Sequence, residues 1–367
     1  MIKVMSVFGT RPEAIKMAPV VKEIEKTSGM SSIVVVTGQH REMLDQVLDL
    51  FDLHADHNLD IMEKNQTLTT ITTKILSRLD VVIDQEKPDF VLVHGDTTST
   101  MAASLSAFYH QIPIAHVEAG LRTWDKYSPY PEEMNRQLTD RLSDIYFAPT
   151  TLSEENLLKE GIQSSKIAVT GNTVIDAMQY TIDKSYNHDV LSQIPSDHKI
   201  ILLTMHRREN QGQPMANVFQ AVNELTQLRP DVDVIYPVHL SPAVQTLAHD
   251  VFDNNSQVHL IDPLNVVDFH NLMSRSYFVM TDSGGVQEEA PSLNKPVLVL
   301  RDATERPEGV DAGTLKVIGT DKSVVLSNML ALLTDNVLYQ KMAIAKNPYG
   351  DGKASQRIVS ILQHYSD

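Results

Sequence analysis

The residues between Ser283 and Arg306 have the types and spacing of a site for a phosphorylated ligand. A Ser283-Gly284-Gly285 turn stands between a predicted strand and a predicted helix, where backbone N–H groups and the helix dipole favour an anion. Glu289 follows about one helical turn later, where it can accept a hydrogen bond from a sugar hydroxyl. Arg306 lies beyond the next strand and adds positive charge. Together these residues predict a phosphorylated sugar as the ligand.

Three acidic sites in the first half of the chain have the residue types of acid/base catalysts. Asp96 and Glu118 each stand two residues after a histidine at the end of a predicted strand, and Glu132 opens a predicted helix with Glu133. Because residues i and i+2 of a strand point to the same face, each histidine is expected to share a side with its carboxylate. Crowding and partial burial push the pKa values of such carboxylates apart, which suits general acid/base catalysis.

Structural roles compete with the catalytic ones at each of these positions. Asp96 could cap the helix that follows it, and Glu118 could form an ion pair with Arg122. The two adjacent glutamates at 132 and 133 could simply stabilise a helix N-terminus. A metal site made of the two histidine–carboxylate pairs is a further alternative, but neither pair has a recognised ligand spacing, so no metal is expected.

Basic residues gather where an anionic ligand needs them, against a formal net charge of −16. Arg11 and Lys16 flank the first turn of a helix that follows the first strand. His206 and Arg207 end a strand in the second half, and His239 ends the next one. Because α/β sheets bind ligands at the carboxyl ends of their strands, these positions predict phosphate contacts. A single glycine follows the first strand, so a nicotinamide cofactor is not expected.

A short segment farther along the second half offers a wall for a nucleobase. Leu264 lies in an Ile-Asp-Pro-Leu-Asn stretch, and Phe269 follows it. Stacking by the aromatic ring or contact with the backbone would suit a uracil. At helical spacing, however, a phenylalanine is more often a core residue.

Composition predicts an ordinary globular protein and argues against several classes of function. The 367 residues predict two domains, and a hydrophobic content of 42% is typical of folded proteins. A chain without cysteine cannot form disulfides or use a thiolate. The negative charge argues against binding to nucleic acid or to an anionic membrane. We find no apolar run of transmembrane length and no signal peptide before the first strand, so a cytoplasmic enzyme is expected.

Short apolar runs alternate with helical segments along the whole chain. The predicted strands are Ile2–Phe8, Ile33–Thr37, Phe90–His94, Ile114–Glu118, Asp144–Ala148, Ile167–Thr170, Ile200–Thr204, Val232–Val238, Val258–Ile261, Phe278–Thr281, Val297–Leu300 and Leu315–Ile318. This alternation predicts an α/β fold with parallel sheets, and a dozen strands favour two sheets over one. We expect an N-terminal domain over 1–170, a C-terminal domain over 171–353, and a last helix, about 354–367, that crosses back to the first domain.

Taken together, these segments resemble the non-hydrolysing UDP-N-acetylglucosamine 2-epimerases of bacteria. The resemblance runs from VFGTRPEAIKMAP through TGQHREML, VHGDTTST, HVEAGLRT, SPYPEEMNRQ, GNTVIDA, HRREN, YPVHL and TDSGGVQEEAPSLNKPVLVLRDATERPE to NPYGDG. It implies two Rossmann-like domains in the GT-B arrangement, with the active site in the cleft between them. It also implies reversible conversion of UDP-N-acetylglucosamine to UDP-N-acetylmannosamine, by anti-elimination of UDP to 2-acetamidoglucal and re-addition. No cofactor is implied.

The resemblance assigns roles to individual positions of this sequence. By position, the catalytic residues are Asp96, Glu118, Glu132 and His206, and the substrate contacts are Arg11, Lys16, Leu264, Phe269, Ser283, Gly284, Gly285, Glu289 and Arg306. Bacterial members bind a second UDP-N-acetylglucosamine as an allosteric activator, and that site corresponds here to Gln39, His40, Glu42, Glu132, Arg207 and His239. A homodimer that supplies N-acetylmannosamine for cell-surface polysaccharide is also implied.

The sequence departs from the family pattern at three positions, and, independently of these, two other enzyme activities are alternatives. Asn65 stands where some members have an arginine in the activator site, Met205 stands where glycine is common, and Leu264 replaces a glutamine. A hydrolysing epimerase would release UDP and free N-acetylmannosamine. A GT-B glycosyltransferase would need an acceptor site and would not need three carboxylates in the first domain.

Overall fold

The central strands of this protein are buried on both faces, as their apolar runs predict. In the first strand, Val4 and Phe8 pack into one hydrophobic cluster, whereas Met5 and Val7 pack into another. Because successive side chains of a strand point to opposite faces, the two clusters lie on opposite sides of the sheet. Helices must therefore cover both sides, as in other parallel sheets.

The structure, a computed structural model, describes residues 1–38, 41–63 and 66–365, without the side chains of 41–43. Its strands are β1 (Ile2–Phe8), β2 (Met30–Val36), β3 (His57–Asn58), β4 (Phe90–His94), β5 (Ile114–Val117), β6 (Ile145–Ala148), β7 (Ile167–Val169), β8 (Lys199–Thr204), β9 (Val232–Pro237), β10 (Val258–Ile261), β11 (Phe278–Thr281), β12 (Val297–Val299) and β13 (Leu315–Val317). Its helices are α1 (Arg11–Lys26), α2 (Arg41–Leu50), α3 (Leu68–Glu86), α4 (Thr98–Tyr109), α5 (Glu132–Leu142), α6 (Thr151–Lys159), α7 (Thr173–Thr181), α8 (Asp189–Ser192), α9 (Gln213–Leu228), α10 (Pro242–Phe252), α11 (Val266–Arg275), α12 (Gly284–Glu289), α13 (Pro307–Asp311), α14 (Lys322–Thr334), α15 (Asn336–Ala343) and α16 (Ala354–His364). Single 3-10 turns cover Ser164–Lys166, Arg208–Asn210 and Ala290–Leu293.

The described strands form two parallel sheets. The first has seven strands in the order β3-β2-β1-β4-β5-β6-β7, and the second has six in the order β10-β9-β8-β11-β12-β13. The prediction of two parallel α/β sheets is confirmed. Only β3, with two residues, was missed from the sequence, because so short a strand has no periodic pattern.

In each sheet the strand order reverses once, between β1 and β4 and between β8 and β11. Such a reversal opens a crevice at the carboxyl ends of the two central strands, where ligands of doubly wound sheets bind. The turns that follow three of these strands carry Asp96, His206 and Ser283, and Arg11 begins the helix that follows β1. The fold therefore brings the predicted chemistry to the switch point of each sheet.

The chain divides into two compact units, residues 1–179 with 349–367, and residues 180–348. These divisions differ from the predicted ones at 170/171 and 353/354. The segments between the two sets of boundaries pack within the first unit: Asn172 N donates to Tyr349 O at 2.7 Å, and Gln179 Nε2 donates to Gly352 O at 2.7 Å. Helix α16 belongs to the first unit and packs against α1.

Candidate functional site

In the first unit, the β4 and β5 strand ends bring two of the predicted carboxylates into one region. The two strands are parallel neighbours, and His94 lies in register with Val117. Asp96 follows the end of β4 and Glu118 follows the end of β5. Register in a parallel sheet thus aligns residues that are far apart in sequence.

The prediction that each histidine shares a side with the carboxylate two residues later assumes extended backbone, which neither strand end has. Gly95 has φ +68° and Glu118 has φ +68°, so neither turn continues the extended strand. The i, i+2 rule applies only within extended backbone. His94 instead contacts Glu118, across the two strand ends.

Glu118 lies among positive or donating groups and is nearly buried. Lys16 Nζ donates to both carboxylate oxygens, at 2.8 and 2.9 Å, and His94 Nε2 lies 2.9 Å from Oε2. Asn172 Nδ2 donates to Oε1 at 3.4 Å. Burial by itself would raise the pKa of Glu118, but the charges and hydrogen bonds of Lys16 and His94 outweigh it and hold the pKa well below its usual range. The alternative ion pair with Arg122 is not formed, because Arg122 pairs with Asp140 and Glu160.

Asp96 has the opposite electrostatic environment. Burial raises the pKa of its carboxyl, and the charge of Glu118 raises it further, although Arg136 lowers it from 2.8 Å. Asp96 does not cap α4, because Thr97 is the capping residue and its hydroxyl accepts from Thr100 N. Two neighbouring carboxylates thus have pKa values that are shifted in opposite directions, as the sequence predicts for acid/base groups.

The adjacent glutamates at the start of α5 have different environments. Glu133 is fully buried and accepts from Thr123 N at 3.0 Å and Trp124 N at 3.2 Å. Its carboxylate therefore fixes the backbone of the preceding loop. Glu132 is half-buried at the first position of the helix. Of the two, Glu132 retains partial access to solvent.

Arg11 and Lys16 lie in the first two turns of α1, and the turn before them depends on a residue that was not predicted for the site. Glu13 is 3% exposed and forms a capping box with Thr10. Gly9 leaves no room for a side chain there, because a Cβ would lie 2.0 Å from Thr37 Oγ1. The Thr10-x-x-Glu13 pattern was the available signal, since it marks a helix start.

In the second unit, a buried aspartate positions the basic residues. Asp282 follows β11, is fully buried, and accepts from His206 N at 3.0 Å and Arg207 N at 2.9 Å. Asn210 Nδ2 also donates to it, at 3.0 Å. One carboxylate therefore holds the turn after β8 against the turn after β11. Sequence reasoning did not assign Asp282, although it immediately precedes Ser283.

The Ser-Gly-Gly turn begins α12 and is flanked by two guanidinium groups. A Cβ built on Gly284 would lie 3.6 Å from Arg306 Nη2 and 3.9 Å from Arg207 Nη2. Arg306 also forms an ion pair with Glu288. Arg207, predicted as an activator contact, therefore lies beside the turn predicted to hold substrate.

Glu289 and its neighbours lie one turn farther along α12. Glu289 Oε1 would be 3.6 Å from a Cβ on Gly285, and Oε2 lies 3.5 Å from Nε2 of the buried His270. Nδ1 of His270 lies 2.7 Å from Thr181 Oγ1. The Glu289 carboxylate is thus held close to the Gly284-Gly285 backbone.

A cavity of about 510 Å³ lies near the predicted base wall. It is lined by His188, Val238, Gln245, His249, Leu260, Ile261, Asp262, Pro263, Leu264 and Asp268. Leu264 therefore lines the cavity. Phe269 is half-buried on α11 and directly follows Asp268, which also lines it.

His239, predicted for the activator site, stacks on His206, with ring centroids 5.8 Å apart and planes inclined by 15°. Gln39, His40 and Asn65, and the side chain of Glu42, lie outside the described residues. The described part of the chain contains no group of three or more His, Cys, Asp or Glu residues placed to hold a metal ion. No described helix is both long and apolar enough to cross a membrane.

These features define a two-unit α/β protein of Rossmann-like topology, with a carboxylate cluster in one unit and a cationic glycine turn in the other. The family model for UDP-N-acetylglucosamine 2-epimerase matches residues 22–363. The chain is 58% identical to the UDP-N-acetylglucosamine 2-epimerase of Bacillus subtilis, over 99% of this chain and 96% of that one. It belongs to the UDP-N-acetylglucosamine 2-epimerase family, and it is therefore an enzyme of the isomerase class.

Solved structures agree with this assignment. A putative UDP-N-acetylglucosamine 2-epimerase from Listeria monocytogenes has a TM-score of 0.95 and 53% identity, over 99% of this chain and 96% of that one. The UDP-N-acetylglucosamine 2-epimerase from Neisseria meningitidis, bound to UDP-N-acetylglucosamine, has a TM-score of 0.87 and 50% identity, over 99% of this chain and all of that one.

Proposed function

We propose that this enzyme interconverts UDP-N-acetylglucosamine and UDP-N-acetylmannosamine without hydrolysis, by anti-elimination of UDP and re-addition. The observation that carries the proposal is the pair Asp96 and Glu118, whose carboxyl pKa values are shifted in opposite directions at neighbouring strand ends. The Neisseria meningitidis relative, which binds UDP-N-acetylglucosamine, supports the choice of substrate.

Departure of UDP is the step that makes removal of the carbon 2 proton possible. The hydrogen on carbon 2 is not acidic, because carbon 2 does not adjoin a carbonyl carbon. Early cleavage of the bond between carbon 1 and the UDP oxygen creates positive charge on the sugar, and the bonding electron pair leaves with UDP. Arg207, Arg306 and the backbone N–H groups of Gly284 and Gly285 are the groups that would stabilise the negative charge that develops on the diphosphate.

Two proton transfers on opposite faces of the sugar complete the cycle. A carboxylate removes the carbon 2 proton, and the electrons of that C–H bond form the double bond of 2-acetamidoglucal. A second group, which acts as an acid, then protonates carbon 2 from the other face while the UDP oxygen bonds again to carbon 1. Asp96, Glu118 and Glu132 are the groups proposed for these steps. His206, with a ring 44% exposed, would donate to the departing diphosphate.

Turnover in deuterated water tests this mechanism. Incubation of the enzyme with UDP-N-acetylglucosamine should place deuterium on carbon 2 of both UDP-sugars, with UDP still attached. Products without deuterium would contradict the elimination. Stoichiometric free UDP and free N-acetylmannosamine would identify a hydrolysing epimerase, and transfer of the sugar to an added acceptor would identify a glycosyltransferase.

We also propose that a second UDP-N-acetylglucosamine activates the enzyme through a site that includes Arg207 and His239. The stacking of His239 on His206 supports a connection between activator and catalytic groups. UDP-N-acetylmannosamine alone should then be a poor starting substrate, and catalytic amounts of UDP-N-acetylglucosamine should restore turnover. Rapid turnover of UDP-N-acetylmannosamine by itself would refute the activator site.

Assembly and cellular role extend the same proposal. We propose that the enzyme is a homodimer in the cytoplasm and supplies N-acetylmannosamine units for cell-surface polysaccharide. Sedimentation equilibrium should give twice the mass of the 41.0 kDa chain. A monomer at all concentrations would refute the dimer without affecting the proposed chemistry.

A further inference from the structure

His116 at the end of β5 has a hydrogen-bonding environment that the catalytic scheme does not use. Its side chain is fully buried. Nδ1 lies 2.6 Å from Asp140 Oδ1, and Nε2 lies 2.7 Å from the carbonyl oxygen of Gly95. Both ring nitrogens therefore face oxygen atoms at short hydrogen-bonding distance.

The chemistry of the two oxygens decides where the protons of His116 lie. A peptide carbonyl oxygen can only accept, so Nε2 must carry a proton. The Asp140 carboxylate already accepts from Arg122 Nη2 at 2.7 Å and from Gly120 N at 3.2 Å. Asp140 is therefore an anion that accepts from Nδ1–H.

His116 is thus a doubly protonated imidazolium in a buried network whose charges balance. Two cations, His116 and Arg122, face two anions, Asp140 and Glu160. Buried charges persist when each is paired and hydrogen-bonded, which is the case here. An imidazolium with both protons committed to fixed acceptors is not free to take a proton from a substrate.

The Gly95 carbonyl connects this network to a proposed catalytic group. That carbonyl belongs to the peptide that joins Gly95 to Asp96. The two flanking carbonyls are also held by side chains: Thr100 Oγ1 donates to His94 O at 2.6 Å, and Asn135 Nδ2 donates to Asp96 O at 3.0 Å. Three successive carbonyl groups are therefore fixed by side chains from α4, β5 and α5.

We propose that His116 is a positioning residue whose imidazolium holds the Gly95–Asp96 peptide and so aims the Asp96 carboxylate, without exchanging a proton with the substrate. The proposal rests on the proposed function for the role of Asp96. The protonation state of His116 stands on the geometry of the network alone.

Nitrogen NMR of the substrate-free enzyme tests the protonation state. In protein labelled with 15N-histidine, His116 should show two protonated ring nitrogens at neutral pH, with its signals assigned by their loss in His116→Gln. A single protonated nitrogen, which marks a neutral tautomer, would overturn the proposal. This outcome does not depend on which reaction the enzyme catalyses.

Two substitutions test the positioning role. Glutamine at 116 retains an N–H donor for the Gly95 carbonyl, whereas leucine retains none. His116→Leu should lower kcat by about 100-fold with little change in KM, as expected when a catalytic group is misplaced by about 1 Å. His116→Gln should recover most of that loss. His110→Gln, at a histidine paired with the exposed Asp80, is the matched control and should keep normal kcat.

The outcomes separate the two proposals. Equal loss of kcat in both variants, with melting temperatures near that of the unaltered enzyme, would mean that the carbonyl contact does not matter. If His116→Leu does not fold, His116→Gln can still be compared with the unaltered enzyme. If His116 transferred a proton during catalysis, His116→Gln would be inactive, which would contradict the proposal. Absence of epimerase activity in the unaltered enzyme would refute the proposed function and leave the NMR result intact.

Discussion

At the residue scale, the central feature is a pair of carboxyls with opposite environments. Glu118 lies against Lys16 and His94, and the pKa of its carboxyl falls despite burial. Burial and the charge of Glu118 raise the pKa of Asp96, and Arg136, with Lys16 and His94, lowers it without offsetting them. Near neutral pH, Glu118 is thus held firmly as an anion, whereas Asp96 accepts a proton more readily. Such a difference suits groups that alternate between acid and base.

Replacing Arg136 by methionine should shift the pH dependence of activity. Because Arg136 lowers the pKa of Asp96, its removal raises that pKa. If Asp96 must be ionised in the free enzyme, the acid limb of kcat/KM should move to higher pH. Arg141→Met, at an exposed residue on the same helix, is the control and should leave the limb in place. An unshifted limb in Arg136→Met would show that Asp96 does not control it.

The amide variants Asp96→Asn and Glu118→Gln should each lower kcat by about 10²–10⁴-fold, the usual contribution of a general acid or base. UDP should still bind to both variants, because the groups proposed to hold the diphosphate are on the second unit. Steady-state kinetics and calorimetric titration with UDP measure the two effects. Asp80→Asn, on the surface, serves as the control. Near-normal turnover in either amide variant would remove that residue from catalysis.

At the scale of elements, one buried glutamate ties two turns together. Glu13 Oε2 accepts from Gly9 N at 3.1 Å and Thr10 N at 2.8 Å. Its Oε1 accepts from Thr97 Oγ1 at 2.7 Å and lies 2.9 Å from Thr100 Oγ1. The turn after β1 is thereby fixed to the turn after β4, across the point where the strand order reverses.

Glu13→Ala should lower both stability and activity. It leaves buried donors in two turns without their acceptor, which should cost about 2–4 kcal/mol in the free energy of unfolding. Urea denaturation measures the loss, and kcat should fall with it. Glu25→Ala, on the same helix, removes only an exposed ion pair with Lys22 and should change stability by less than about 1 kcal/mol. Equal stability of the two variants would contradict the role given to Glu13.

At the scale of the whole molecule, the chain leaves the first unit near residue 179 and returns to it near 349. Asp176, on α7, accepts from Ala354 N at 3.2 Å and Ser355 N at 2.7 Å. These N–H groups belong to the first turn of α16, where the helix itself supplies no acceptor. One carboxylate thus anchors the returning segment, while Ile358 and Leu362 of α16 pack into the core of the first unit.

Asp176→Ala should destabilise the first unit by about 1–2 kcal/mol, as the loss of an N-terminal acceptor usually does. Burial raises the pKa of Asp176, which means that the fold disfavours its charge. Asp176→Asn, which keeps an acceptor oxygen without the charge, should therefore lose less than the alanine variant. Asp351→Asn, at an exposed ion pair with Arg357, is the control. Thermal unfolding distinguishes the three, and equal loss in the alanine and asparagine variants would contradict this account.

Local sequence patterns were enough to predict the helices and strands and the positions of the candidate site residues along them. Apolar runs such as Phe90–His94 predict buried strands because their periodicity is local, and the observed β4 has the same bounds. The Ser283-Gly284-Gly285 turn was predicted at a strand-to-helix junction for the same reason. Parallel strands all end at the same edge of their sheet. Residues that directly follow predicted strands could therefore be assigned to that edge from the sequence.

Which side chains contact one another could be known only from the folded chain. Glu118 contacts His94 and Lys16 rather than Arg122, because the register of β4 with β5 and a left-handed backbone at Glu118 direct it there. His116 faces Gly95 and Asp140 for a related reason, since its partners come from a neighbouring strand and from α5. Such contacts join residues more than twenty positions apart, so no local pattern records them. Periodicity fixes an element, but partners depend on register and on how elements pack.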